Sequence, residues 1–236
     1  MCGISGYFGN KKISKQEINK TLELMKNRGP DFSDFIQIQK GGKNIVLLHS
    51  RLSIIDINDR SNQPFTDGQN IIIFNGEIYN YLELRKKLIE KGEKFFTDSD
   101  TEVLLKYYKI YGENCVDHFE GMWAIAVYNK NENKIFLSRD RFAEKPLYYH
   151  EDENGIFFGS EIRFIKSLSK KKFEINYNHL NNFISLGYKS LFKVEETFFK
   201  GISYLKNSEN LSCNHKMDLK KKIIGDRKYL KLKGLH

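Results

Sequence analysis

The sequence predicts an α+β domain of helical and sheet layers, and three observations point that way. Capped segments with helical apolar spacing recur through the first half, a Gly41-Gly42 hairpin joins two strand-like runs, and a train of short strands fills residues 122–159. Helices set against mostly antiparallel strands favour this layering over a doubly wound parallel sheet.

Gly3 to Phe8 reads as a short strand that would hold the amino terminus in a sheet. Ser14-Lys15-Gln16-Glu17 is a capping box, after which Ile18, Leu22 and Met25 share one helical face. Phe35–Gln39 and Ile45–His49 flank the two glycines as the strands of the hairpin. Ile71-Ile72-Ile73-Phe74 is a continuous apolar run suited to a buried strand. Asn80-Tyr81-Leu82-Glu83 is another capping pattern and opens a helix that stops at Gly92. Asp100 to Tyr111 repeats the design with Gly112 behind it. Strands follow at Trp123–Tyr128, Lys134–Ser138, Leu147–Tyr149 and Ile156–Gly159. Beyond about residue 170 the pattern thins: His179 to Leu186 can form a helix, while 206–222 has few apolar anchors. The expected division is a domain over 1–170 and a basic extension over 171–236, which either packs on the domain or leads toward a further one.

The 236 residues suffice for one large domain or two small ones, with 18 Phe and 13 Tyr to fill a core. Cys2, Cys115 and Cys213 are odd in number and show no CxxC or His-rich spacing, which argues against a disulfide framework and a zinc site. There is no apolar leader and no run long enough to span a membrane, so the expectation is a soluble, cytoplasmic protein without a metal. The formal charge of +9 is unevenly placed. Residues 1–165 hold 23 Lys+Arg and 24 Asp+Glu, a net of −1, whereas residues 166–236 hold 16 and 6, a net of +10. Such a tail can bind RNA or a membrane surface, or can be a solvated face in a Lys-, Asn- and Ile-rich chain. Its lysines are scattered without regular aromatic interleaving, so nucleic acid is not the expected partner.

The opening Met1-Cys2-Gly3-Ile4 carries the chemistry. A small second residue favours removal of the initiator, which would leave Cys2 with a thiol and a free α-amine on one residue. That amine titrates near ~8 and can take the thiol's proton and later return it. Five polar clusters accompany it where strands end or turns begin: Arg28–Asp31, His49–Asp56, Asn75-Gly76-Glu77, Ser99–Glu102 and Arg139–Phe142. Each alone has a plain structural reading as a turn, a helix cap or a rim residue.

Together these blocks resemble the glutaminase domain of glutamine-hydrolysing asparagine synthetases, within the class II, N-terminal-nucleophile amidotransferases. The resemblance runs through Met1–Ile4, Arg28–Asp31, Arg51–Asp56, Phe74–Tyr81, Ser99–Leu105, Gly121–Ala124, Arg139–Tyr149 and Ser160–Ile162. It implies a four-layer αββα sandwich with Cys2 on an inner strand. It assigns Cys2 as nucleophile, with the Asn75 side chain and the Gly76 N–H as oxyanion hole. It further assigns Arg51 as a clamp on the substrate α-carboxylate, Asp100 and Glu77 as holders of the α-ammonium, and Leu52, Ser53, Ile54 and Ile55 as lining of the slot. L-Glutamine would be the substrate, with no cofactor in this chain. ATP and magnesium would belong to a synthetase domain or subunit that accepts the ammonia.

Three departures stand out. Ala143 occupies a position where that family usually has glycine. Leu205–Ser212 stands where it tends to have a Leu-Pro-Pro-Gly-like turn. Nothing matches the Ser-Gly-Gly-x-Asp-Ser loop of the synthetase half, so the chain is not expected to make asparagine by itself. The alternatives are a glutamine-binding regulatory module without useful turnover and the remnant of a truncated synthetase.

Overall fold

A computed structural model gives the structure of residues 1–188 and 195–225; the rest of the 171–236 segment lies outside the described residues. Two six-stranded antiparallel sheets stack face to face. The first takes β1 (Gly3–Gly9), β2 (Phe32–Lys40), β3 (Lys43–Arg51), β8 (Tyr148–Asp152), β9 (Gly155–Gly159) and β10 (Ser203–Tyr204), in the order β10-β8-β9-β1-β3-β2. The second takes β4 (Phe65–Thr66), β5 (Asn70–Ile78), β6 (Gly121–Asn129), β7 (Lys134–Arg139), β11 (Glu209–Cys213) and β12 (Leu219–Ile223), in the order β12-β11-β7-β6-β5-β4.

The alternation of side chains along each strand explains the layers. Ile4, Phe8, Ile45 and Leu47 of the first sheet meet Ile71, Ile73, Ala124, Ala126 and Leu137 of the second in a core between the sheets. The opposite face of the first sheet, with Tyr7, Val46, Leu48 and Phe157, packs on α1 (Lys15–Met25) and α4 (Ile162–Ser169). The opposite face of the second, with Ile72, Phe74, Ile125 and Val127, packs on α2 (Tyr81–Glu90) and α3 (Asp100–Tyr111). Burial on both faces is why β5 reads as an unbroken apolar run; each such side chain contributes about 1.5–3 kcal/mol. The result is the expected αββα sandwich.

Local signals are realised with one exception. Ser14 and Glu17 make both bonds of the capping box, and Gly41 and Gly42, at φ +54° and +75°, form the two-residue turn between β2 and β3. Ser99 caps α3 by accepting the Thr101 N–H, and Gly112 ends it. Asn80, by contrast, makes no capping bond at α2. Its amide instead donates to His118 O (3.0 Å) and accepts from Glu120 N (3.1 Å), so it fastens the helix start to the segment before β6.

The stretch with few apolar anchors is β-structure: β11 pairs with β7 and β12 extends the sheet beyond it. Leu211 and Cys213 are buried in the inner core and Met217 and Leu219 pack against it, while Lys220, Lys221 and Lys222 guard the exposed edge. Lys171, Lys200, Lys206 and Lys221 of the basic segment each pair with a carboxylate, on Asp152, Glu174, Glu195 and Glu209. At both departures a non-glycine residue adopts the left-handed conformation that glycine favours: Ala143 at φ +57° and Ser208 at φ +58°. The turns survive because Asp140 anchors both. Its carbonyl accepts from Ala143 N (3.2 Å) and Ser208 N (2.9 Å). None of the helices among the described residues is long and apolar enough to cross a membrane.

Candidate active site

Cys2 directly precedes β1, the strand flanked by β9 and β3 within its sheet. The Arg28 Nε–H donates to its carbonyl at 2.9 Å, and Arg28 is itself held by Glu161 at 3.2 Å. The sulfur faces the Leu52 peptide: Leu52 N–H donates to Sγ at 3.4 Å, and the thiol donates to Leu52 O at 3.5 Å. Burial pushes the thiol up, against the Leu52 N–H and the charges of the amino terminus and Arg51. The resting sulfur is therefore a thiol that needs a base.

Cys2, Arg51, Leu52, Ile54, Ile55, Asn75, Gly76, Glu77 and Asp100 line one pocket. Ser53 does not join them; its N–H donates to Asp31 Oδ2 at 2.7 Å and holds the loop from behind. Asn75 and Gly76 lie on β5, where Gly76 is opposite Trp123 of β6. Asn75 is 1% exposed, and its Nδ2 has no hydrogen-bond partner. A buried amide donor left open toward a pocket costs the fold stability unless a ligand supplies the acceptor. At Gly76 a side chain is excluded by the neighbouring strand: a Cβ would stand 2.1 Å from Met122 O and 2.8 Å from Trp123 Cα. The glycine thus lets β6 approach.

Asp100 opens α3 and points back to β5, where its Oδ2 accepts the Ile78 N–H at 3.1 Å. Burial pushes its carboxyl up to about 6, with Glu77 adding to the rise and backbone N–H groups opposing it. The carboxylate is charged above that pH and neutral below it. If it holds a substrate ammonium, kcat/KM for glutamine falls as pH drops through about 6, and Asp100→Asn lowers kcat/KM and loses that limb; a pH–rate profile checks both. Stability has the opposite sign. A folded-state pKa above the unfolded value makes stability decline between pH ~4 and ~6 and stay lower above, by on the order of 2–3 kcal/mol. Asp100→Asn should accordingly raise Tm at pH 7, read by thermal melting.

Arg51 is placed differently from a free clamp. It is 5% exposed and gives Nη1 to Asn58 O (3.0 Å) and Asn62 Oδ1 (2.7 Å), and Nη2 to Ile55 O (3.3 Å) and Asp56 O. A bidentate grip on a carboxylate would have to displace these loop acceptors. His49 bridges the sheets, its Nε2 3.2 Å from Phe74 O, and full burial pushes it down to about 3, so it is neutral.

Ser61, Gln63, Thr101, Met122 and Lys145, to which sequence reasoning gave no role, also stand in the pocket wall. Gln63 ties β5 to α3 by accepting from Phe74 N (2.6 Å) and donating to Thr101 Oγ1 (3.2 Å). Lys145 is fixed at both ends of its backbone, with N–H to Asp140 Oδ2 (3.0 Å) and O from Arg139 Nε (2.7 Å), and its Nζ lies 3.4 Å from Met1 Sδ. The available signal was its place inside the Arg139–Tyr149 block, directly before Pro146. Met1 also lines the pocket, so with Met1 attached the nitrogen of Cys2 is an amide. Among the described residues no cluster of His, Cys, Asp and Glu is placed to hold a metal ion.

Paired antiparallel sheets between helical layers, with a cysteine just ahead of an inner strand and lining a pocket, make this a four-layer αββα sandwich. A Bacillus subtilis glutamine phosphoribosylpyrophosphate amidotransferase complexed with ADP and GMP shares it, at a TM-score of 0.67 and 16% identity over 95% of this chain and 49% of that one. The family model of the glutamine amidotransferase domain matches residues 1–224, and the chain belongs to that family. A Methanocaldococcus jannaschii chain named as a glutamine-hydrolyzing asparagine synthetase is 39% identical over 225 residues, covering 83% of this chain and 42% of its own length. Asparagine synthetase B [glutamine-hydrolyzing] of Escherichia coli is 36% identical over 169 residues, 69% of this chain and 29% of its own. The chain thus spans less than half the length of these relatives.

Proposed function

We propose that this chain hydrolyses the side-chain amide of L-glutamine to glutamate and ammonia through a thioester on Cys2. The ammonia then serves an asparagine-synthetase-like amidation by an ATP-dependent synthetase domain or subunit. The observation that carries this reading is a cysteine sulfur and a buried, unpartnered Asn75 Nδ2 lining one pocket with two carboxylates, Glu77 and Asp100.

The chemistry follows. Removal of Met1 turns the Cys2 nitrogen into an amine, which takes the thiol proton as Sγ attacks the amide carbon. Asn75 Nδ2 and the Gly76 N–H receive the developing oxyanion, each donor worth on the order of 3 kcal/mol. The Cys2 ammonium returns the proton to the departing nitrogen, and ammonia leaves. Water then cleaves the thioester, restoring the thiol and yielding glutamate. Asp100 and Glu77 hold the substrate ammonium, and Arg51 sets the positive end of the slot. These steps require no metal or organic cofactor in this chain; ATP and magnesium act in the synthetase part. We place the activity in the cytosol, where three free thiols stay reduced. The test is release of glutamate and ammonia in equal amounts from glutamine by the purified chain, its mature amino terminus established by mass. Glutamine binding without release from a chain with Cys2 exposed would overturn hydrolysis and leave a sensing module.

A further inference from the structure

We propose that Asp56 is a positioning residue for this site: its carboxylate staples the 52–62 loop to the turn that carries Asp100, fixing the two walls of the pocket in register. The inference rests on the glutamine reading above and assigns a function to a motif residue that the chemistry leaves unused.

The Asp56 side chain is 1% exposed. Its Oδ2 accepts from Ser61 Oγ (2.7 Å), from Arg60 Nε (3.1 Å) and from the backbone N–H of Asp98 (2.8 Å), across from the loop. Its Oδ1 accepts from Asn58 Nδ2 (2.8 Å) and Asn58 N (3.4 Å). Its carbonyl receives Arg51 Nη2. One residue therefore touches the pocket arginine, the loop's far end and the segment two residues before Asp100. Asp56 holds φ at +46°, a conformation that non-glycine residues rarely adopt and that surrounding bonds must maintain. The carboxyl is held well below the usual range: burial would raise it, but the hydrogen bonds from Ser61, Asp98 N, Asn58 and Arg60 outweigh burial.

A second layer lies outside the staple. Arg60 reaches Asp98 Oδ2 (2.6 Å) and Phe96 O (3.1 Å), and Arg85 of α2 reaches Asp98 Oδ1 (3.4 Å). These pairs involve the 72%-exposed Asp98 side chain and are screened by solvent. The backbone contact to Asp98 N is independent of that side chain, which separates the two layers experimentally.

Asp56 touches neither the sulfur nor the oxyanion donors, so its loss should weaken substrate binding and leave the chemical step. Glutamine affinity is measured by calorimetry on a Cys2→Ala chain with and without Asp56→Asn. Kinetics follow on the chain with Cys2 intact. The expected result is at least a tenfold loss of affinity, the same rise in KM, kcat within threefold, and an unchanged alkylation rate of Cys2 with iodoacetamide. Asp98→Ala, which keeps the backbone N–H, should change affinity less than twofold. If Asp56→Asn fails to fold, Arg60→Met removes one partner of the carboxylate and should weaken affinity two- to fivefold. An affinity change below twofold in the folded Asp56 variant (or, failing that, in Arg60→Met) overturns the proposal, as does an equal loss in Asp98→Ala or a fall in kcat that tracks KM. A Cys2→Ala chain that binds no glutamine overturns the substrate reading first, and the proposal with it.

Discussion

Cys2→Ala is expected to abolish glutamate release, by roughly 10⁴-fold or more, while glutamine still binds. The sulfur contacts the Leu52 peptide, and the residue precedes β1 instead of contributing to its ladder, so the fold has little at stake there. Arg28 holds the backbone carbonyl, which alanine keeps. Binding by the variant, with release gone, separates nucleophile loss from misfolding. Residual turnover within tenfold of the parent would mean that another group attacks the amide.

Asn75→Ala should lower kcat by about 10²–10³-fold, the effect of deleting one oxyanion donor. Its signature is that stability does not fall with activity. The Nδ2 is buried without a partner in the free protein, so truncation removes an unsatisfied donor. Gly76→Ala supplies the contrast. Its methyl would meet the Met122 carbonyl of β6, forcing the two strands apart and lowering Tm together with kcat. Paired melting and turnover measurements on the two variants check this. A loss of Tm in Asn75→Ala equal to that of Gly76→Ala would argue for a purely structural amide.

Much of this was legible because the signals are local. The Ser14–Glu17 box, the Gly41-Gly42 turn and the α3 boundaries at Ser99 and Gly112 depend on neighbours within a few residues. Asn80 misled because an amide that suits an N-cap also suits a tertiary tether to His118 and Glu120. Strands β11 and β12 were hidden because an edge hairpin needs few apolar residues, and three consecutive lysines leave β12 without a regular apolar alternation. At the site, the motif blocks located Cys2, Asn75, Gly76, Glu77 and Asp100 in one pocket. They could not show that Arg51 is held by its own loop, nor single out Lys145 within its block, nor bring in Gln63, whose role depends on bonds to β5 and α3.

Strand β1 is closed on its two edges by chain made at very different moments. Its partner β3 ends at residue 51, whereas β9 pairs Gly159 with Ser5. At ~5–20 residues per second, synthesis reaches β9 several seconds to about twenty seconds after β3 has emerged. During that interval the leading end of β1 has one free edge and no finished pocket around Met1. In the finished fold Met1 still stands 58% exposed, so closing the second edge of β1 does not bury the initiator.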